Sequence, residues 1–150
     1  MLRMSKLTDY GTVVLACLAN SEHPLYSASE VAQRTRLAHP TVSKLLKALA
    51  KAGLVTSSRG AQGGYQLARD PDAISAAEIL DALEGPVAIT ECSAQGSQCE
   101  LEAICSVGHV WQRINREIRR ALDEISLEQL AGLSPVENAT VDVSGAVETH

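Results

Sequence analysis

The chain has no phenylalanine, and a single tryptophan and three tyrosines make up its aromatic content. Any core must therefore be built from Leu, Val, Ile and Ala. No apolar run approaches the roughly eighteen to twenty residues that span a bilayer. No signal peptide is expected either, because Met1-Leu-Arg-Met-Ser-Lys runs directly into a helical pattern. These absences lead us to expect a soluble, cytoplasmic protein with no membrane partner. In that reducing setting the four cysteines are metal-binding or redox-sensing sooner than disulfide-bonded. Neither a nucleophile–base pair nor a nucleotide loop is present, so no catalytic residue and no enzyme activity are expected.

At 150 residues the chain is one domain, or one small domain with an appendage. Its net charge of −5 argues against nucleic acid until the charge is divided along the sequence. Residues 1–70 hold nine Lys/Arg against four Asp/Glu, whereas residues 71–150 hold four against fourteen. A basic front half on an acidic back half suits a molecule with one face turned to a polyanion.

That basic half has a recognisable order. Leu7, Tyr10, Val14, Cys17 and Leu18 recur at helical spacing, which predicts a first helix over 6–20. Cys17 lies on its apolar face and reads as core. Ser27-Ala-Ser-Glu30 is a capping box opening a short helix to about Arg34, and residues 35–38 are the turn. Pro40 suits the first turn of a third helix, with Val42, Leu45, Leu46 and Leu49 as its buried stripe. Thr41, Lys44, Ala48 and Lys51 follow the opposite face, with Ser43 and Lys47 on its flank. This is a helix-turn-helix whose second helix would enter a major groove. Gly53 ends that helix. Strands over 54–58 and 65–69 then flank the glycine-rich tip Arg59-Gly-Ala-Gln-Gly-Gly64, which reads as a β-wing. Thr41, Ser43, Lys44 and Lys47 are the candidate groove and phosphate contacts, and Arg59 and Gln62 would reach the neighbouring groove from the wing.

Further on, Ser75-Ala-Ala-Glu78 caps a helix ending at Gly85, and Ser126-Leu-Glu-Gln129 caps a short last one. Between them Val107, Trp111, Ile114, Ile118, Ala121 and Ile125 alternate steps of four and three. That heptad spacing marks Trp111, Ile114, Ile118 and Ile125 as a seam for a symmetric partner helix. From Leu133 onward the chain is rich in polar and acidic residues and reads as a disordered tail.

Cys92, Cys99 and Cys105 occupy the loop just before the seam. Three thiolates so close together favour a soft cation, zinc or an iron–sulfur cluster. Structural zinc sites usually use cysteine pairs two to four residues apart, and here six and then five residues intervene. The site thus has three thiolates and an open or non-cysteine fourth position, which suits a sensor better than an electron carrier. The bland reading is three reduced surface thiols without a ligand, a state open to oxidation.

Taken together, Lys6-Leu-Thr-Asp-Tyr-Gly11, Gly53-Leu-Val, Arg59-Gly-Ala-Gln-Gly-Gly-Tyr65, Glu91-Cys92…Cys99…Cys105 and Trp111-Gln-Arg-Ile-Asn115 resemble a bacterial family. It is that of the winged-helix regulators that bind iron–sulfur clusters, which include IscR and the nitric-oxide sensor NsrR. The branch regulating the SUF cluster-assembly operon looks most similar. The resemblance spans residues 1 to about 131. It implies a homodimer on a palindromic DNA operator, and a 2Fe–2S or 4Fe–4S cluster near the dimer helix whose state sets DNA affinity. It also implies a fourth ligand. IscR-like members have a histidine three residues after the last cysteine, where this chain has Gly108, with His109 one residue later. NsrR-like members use an aspartate from the partner subunit in a Thr-Asp-Tyr-Gly motif, present here as Thr8-Asp9-Tyr10-Gly11. Asp9 is favoured over His109.

The fold expected is therefore mainly α with a two-stranded β-wing, a winged helix-turn-helix followed by a long dimerisation helix. Its parts are a DNA-binding domain over 1–85, a cluster loop over 86–106, the dimer and terminal helices over 107–131, and a tail over 132–150. The function expected is a cluster-sensing repressor of SUF genes. A zinc- or thiol-based regulator responding to oxidant or nitric oxide is the alternative. A cluster carrier or electron-transfer protein is the remote one, since it leaves the basic helix and wing unexplained.

Overall fold

The first helix, α1 (Lys6–Ala19), sinks Val14, Leu15 and Leu18 into the centre of the molecule, the apolar stripe of an amphipathic helix. This is a computed structural model, and it describes residues 3–94, 96, 99–100 and 104–135. Most of the tail read as disordered, residues 136–150, lies outside them. Cys17 is half-buried against the core, as its place on the apolar face implies.

The next two helices, α2 (Ala28–Thr35) and α3 (His39–Lys51), form the helix-turn-helix. Ser27 and Glu30 close the predicted capping box on α2. The turn passes through Arg36, which takes the left-handed conformation (φ 59°) that non-glycine residues rarely adopt. Val42, Leu45, Leu46 and Leu49 of α3 are fully buried. The helix then ends in a Schellman arrangement. Gly53 (φ +80°) donates to Ala50 O and Leu54 to Leu49 O, each at 3.0 Å.

Strands β1 (Val55–Ser58) and β2 (Gly64–Leu67) pair antiparallel with Val55 opposite Leu67 and Ser58 opposite Gly64. Tyr26 adds a bridge to the outer edge of β2, exchanging hydrogen bonds of 3.1 and 2.7 Å with Tyr65. That approach explains the glycine at 64, where a Cβ would lie 2.7 Å from Tyr26 O. The wing is thus anchored to the start of the helix-turn-helix as well as to its end.

A 3₁₀ turn (Pro71–Ala73) leads into α4 (Ala76–Leu83), opened by the Ser75/Glu78 capping box. Arg69 ties the exit of the wing to this helix, donating to Ala73 O (2.8 Å) and Glu78 (2.6 Å). After the cysteine loop come α5 (Gly108–Glu124) and α6 (Leu127–Leu130), the latter with the Ser126/Gln129 box. The architecture is as read from the sequence, mainly helical with a two-stranded antiparallel wing.

One seam residue needs correction. Helix α5 stops at Glu124, and Ile125 is extended (φ −94°, ψ 123°), its carbonyl accepting from Ala76 N at 2.7 Å. The chain breaks there because Leu127, fully buried, must reach the core while its N–H pairs with Ile74 O at 2.7 Å. Ile125 is therefore a hinge to α6 and not the last rung of the helical stripe. By the same contacts α6 packs back onto the core that α1 shares with the wing.

Three carboxyls at these junctions are held below their ordinary range. Glu30 is lowered by the Ser27 amide, and Glu84 by hydrogen bonds from Ser5 and Thr8. For Glu78 burial pushes upward, but the Ser75 amide and the Arg69 guanidinium outweigh it. A carboxyl whose pKa is lower folded than unfolded gives stability that is full above its unfolded value. That stability is lost as pH falls through the folded value. The melting temperature should thus fall as pH drops below about 4.3, the unperturbed glutamate value. Glu78→Gln keeps an acceptor for the box but has no charge to titrate. Thermal melts at neutral and acid pH should show a smaller difference for it than for wild type, and an equal one would discard this assignment.

Candidate functional site

The packing of α3 decides what it can offer outward. With its Val/Leu stripe locked inside, Lys44, Lys47 and Lys51 are exposed, and Thr41 and Ser43 are half-buried at its flanks. The helix is preceded by Ala38, which provides no side-chain cap, so its first amides are left for solvent or an anion. Among the described residues Lys44, Lys47 and Arg59 enter no ion pair. Arg59 and Gln62 are exposed on the wing tip, which Gly63 tightens by donating to Gly60 O at 3.0 Å. Exposed Arg36, in the turn before α3, joins this set. Nothing in the residue pattern signals it, since a left-handed arginine is not readable from residue type.

The cysteine loop is built differently. Cys92 sits in a 3₁₀ turn (Glu91–Ser93), with Thr90 Oγ1 3.2 Å from its Sγ and Gln112 Nε2 donating to its carbonyl at 3.2 Å. Cys99 and Cys105 are also half-buried free thiols, and loop residues 95, 97–98 and 101–103 lie outside the described residues. In kind the donors fit a thiolate-ligated cluster: three soft, half-buried sulfurs, one beside a hydroxyl able to donate to it. Among the described residues, no three Cys, His, Asp or Glu are gathered as a metal-binding group.

The two candidates for a fourth ligand are set apart by helix geometry. Position 108 is the one beside Cys105, since a Cβ on buried Gly108 would lie 3.6 Å from its Sγ. His109 is exposed one residue on, about 100° around the helix, in line with Arg113, Arg116 and Arg120. Asp9 is exposed in the first turn of α1. One turn further along, the same face carries Val13, 45% exposed.

Along α5 two stripes run side by side. Gln112, Asn115 and Arg119 face the rest of the chain. Asn115 bonds the backbone of Val87 and Ile89, and Arg119 forms a fork with Asp81 at 2.6 and 2.7 Å. That pairing with Asp81 holds the Arg119 guanidinium more firmly protonated than usual. The neighbouring stripe is apolar and uncovered: Val107 is 55% exposed, Trp111 41% and Ile114 37%, with Ile118 half-buried. Helix α5 thus holds the rest of the chain with polar side chains and turns its apolar ones outward, the reverse of an ordinary surface helix. The roles of Gln112 and Asn115 were missed in the sequence, where both stand only within the Trp111-Gln-Arg-Ile-Asn115 motif of the resemblance.

No helix among the described residues is long and apolar enough to cross a membrane. Known proteins agree with this layout. The chain is 35% identical over 132 residues to the HTH-type transcriptional regulator CymR of Bacillus subtilis, covering 87% of this chain and 90% of that one. The structure of B. subtilis CymR, described as the global cysteine regulator, superposes with a TM-score of 0.67 at 33% identity over 89% and 99% of the two chains. The HTH-type regulator IscR of Escherichia coli is 30% identical over 149 residues, covering 97% and 89%. The structure of T. potens IscR matches with a TM-score of 0.64 at 33% identity, over 87% of each chain. Residues 4–132 match the family described as Rrf2, iron-dependent transcriptional regulator. With its winged helix, exposed basic recognition helix and outward apolar helix, the chain belongs to the Rrf2 family of transcriptional regulators.

Proposed function

We propose that this regulator is a homodimeric repressor that senses an iron–sulfur cluster and controls cluster-assembly (SUF) genes. The observation that carries the reading is the position of the cysteine loop: its Cys92 arm is hydrogen-bonded to α5, the helix whose apolar side is uncovered. In this reading residues 1–85, completed by α6, form the DNA-reading head, 86–106 the sensor loop, and α5 the dimer seam. Cys92, Cys99 and Cys105 hold the cluster, which when bound supplies a redox- and nitric-oxide-sensitive group. Asp9 from a second copy is the fourth ligand. The exposed Asp9–Val13 face of α1 supports this choice, as does the place of His109 one residue past the position beside Cys105. The likeness to IscR and the motifs of the SUF branch support the choice of cluster and target.

On a palindromic operator, each α3 presents Thr41, Ser43, Lys44 and Lys47 to one major groove, and Arg59 and Gln62 reach the flanking groove. Cluster binding and DNA binding then change each other's affinity by the same factor. A second reading, a thiol switch without a cluster, is favoured by the lack of a gathered three-donor group among the described residues.

Anaerobic loading with iron and sulfide separates the two. The wild type should turn brown and change its operator affinity. Cys92→Ser should lose iron and sulfide and behave as the unloaded protein. Asp9→Ala should keep a cluster of altered spectrum and shorter lifetime in air. A wild type that stays colourless, takes up no iron, and responds to peroxide alone would hand the site to the thiol switch.

A further inference from the structure

We propose that Asn115 is a positioning residue: its carboxamide clamps the arm of the cysteine loop to α5, so that the state of the loop is transmitted to the dimer helix. The inference rests on the sensing role given to that loop above and concerns how the signal leaves it.

Asn115 Oδ1 accepts from Ile89 N at 3.1 Å while Nδ2 donates to Val87 O at 3.2 Å. The C=O of one residue and the N–H two residues on point the same way along an extended strand. Half-buried Val87 and Ile89 flank exposed Ala88 in that alternating pattern. One side chain therefore acts as a neighbouring strand would, and only a carboxamide offers a donor and an acceptor in that fork. A carboxylate there would face the Val87 carbonyl with no proton to give it.

The clamp does not stand alone. Gln112, one helical step earlier on the same stripe, holds the Cys92 carbonyl. Arg119, one step later, holds Asp81 of α4. The three side chains fasten α5 to the sensor arm at one end and to the reading head at the other. Asn115, in the middle, is the one that makes two bonds to the segment joining α4 to Cys92. Pulling on that segment turns α5, whose adjacent apolar stripe fixes how two heads are spaced.

The test uses the full-length protein with Asn115→Ala and Asn115→Asp, and reads two things. In metal-free protein, the rate of Cys92 alkylation by iodoacetamide should rise about tenfold in Asn115→Ala, the change expected when two neutral hydrogen bonds are lost, and by less in Asn115→Asp, which keeps an acceptor for Ile89 N and loses only the donor to Val87 O. Cys17 should react at its wild-type rate, showing an intact fold. In loaded protein, iron and sulfide should still bind, but the ratio of loaded to unloaded operator affinity should move toward one, with the unloaded affinity within about twofold of wild type, as for a site remote from DNA. Unchanged Cys92 reactivity, or a wild-type DNA response in the alanine variant, would overturn the clamp. If the wild type itself takes up no iron, the sensing reading fails, and the metal-free alkylation still decides whether Asn115 holds the arm.

Discussion

Replacing Ile114 with glutamate should turn the regulator into a monomer at micromolar concentration, with the fold of each head intact. Ile114 lies on the uncovered stripe of α5, more than a third exposed in the single chain, beside Trp111. Burying an isoleucine side chain is worth about 1.5–3 kcal/mol, and an unpaired carboxylate in the same place costs several more. A two-fold seam counts each effect twice, so the dissociation constant should rise by at least about a thousandfold. Sedimentation velocity reads the mass directly. Arg113→Glu is the control, because Arg113 is exposed on α5 away from the apolar stripe. It should leave the dimer unchanged. DNA binding should fall at least about a hundredfold for Ile114→Glu, because a lone head holds one half-site without its linked partner. A variant that still sediments as a dimer would place the interface elsewhere and leave the apolar stripe of α5 without a role.

The stripe was legible because apolar residues in steps of four and three announce a seam whatever else the helix does. Its end was not, since Ile125 continues the spacing while a tertiary demand, the burial of Leu127 beside Ile74, breaks the helix one residue earlier. All three capping boxes were readable, as each is a local exchange between residues three apart. The wing was readable too, from glycines and turn chemistry, but not the Tyr26 bridge that braces it, which joins residues thirty-nine apart. The same limit hid Asn115. Its partners lie 26 and 28 residues away and are backbone atoms, so nothing in the residue types of Val87 or Ile89 could point to it. Helix rotation, by contrast, could be argued in advance for His109. In the structure, position 108 lies beside Cys105.

Removing Lys44 and Lys47 together should weaken operator binding by about 10²–10³-fold at moderate salt and change its salt dependence. Both lysines are exposed on α3 while Val42, Leu45, Leu46 and Leu49 fix the helix from behind, so their loss should leave stability within about 0.5 kcal/mol. Each phosphate contact releases counterions and adds roughly 0.9 to the slope of log affinity against log salt. A symmetric dimer loses two contacts for each lysine, so the double alanine variant should flatten the slope by roughly four. Arg59→Ala, one contact per wing, should flatten it by roughly two. Thr41→Ala and Ser43→Ala carry no charge and should leave the slope alone while relaxing discrimination between operator sequences. The distinction matters because net charge cannot supply the attraction: the molecule is acidic overall, and only the local sign of α3 and the wing draws it to a polyanion. Titrations at several salt concentrations therefore test the placement of the interface itself. A slope unmoved by the double variant would show that α3 does not lie against phosphates.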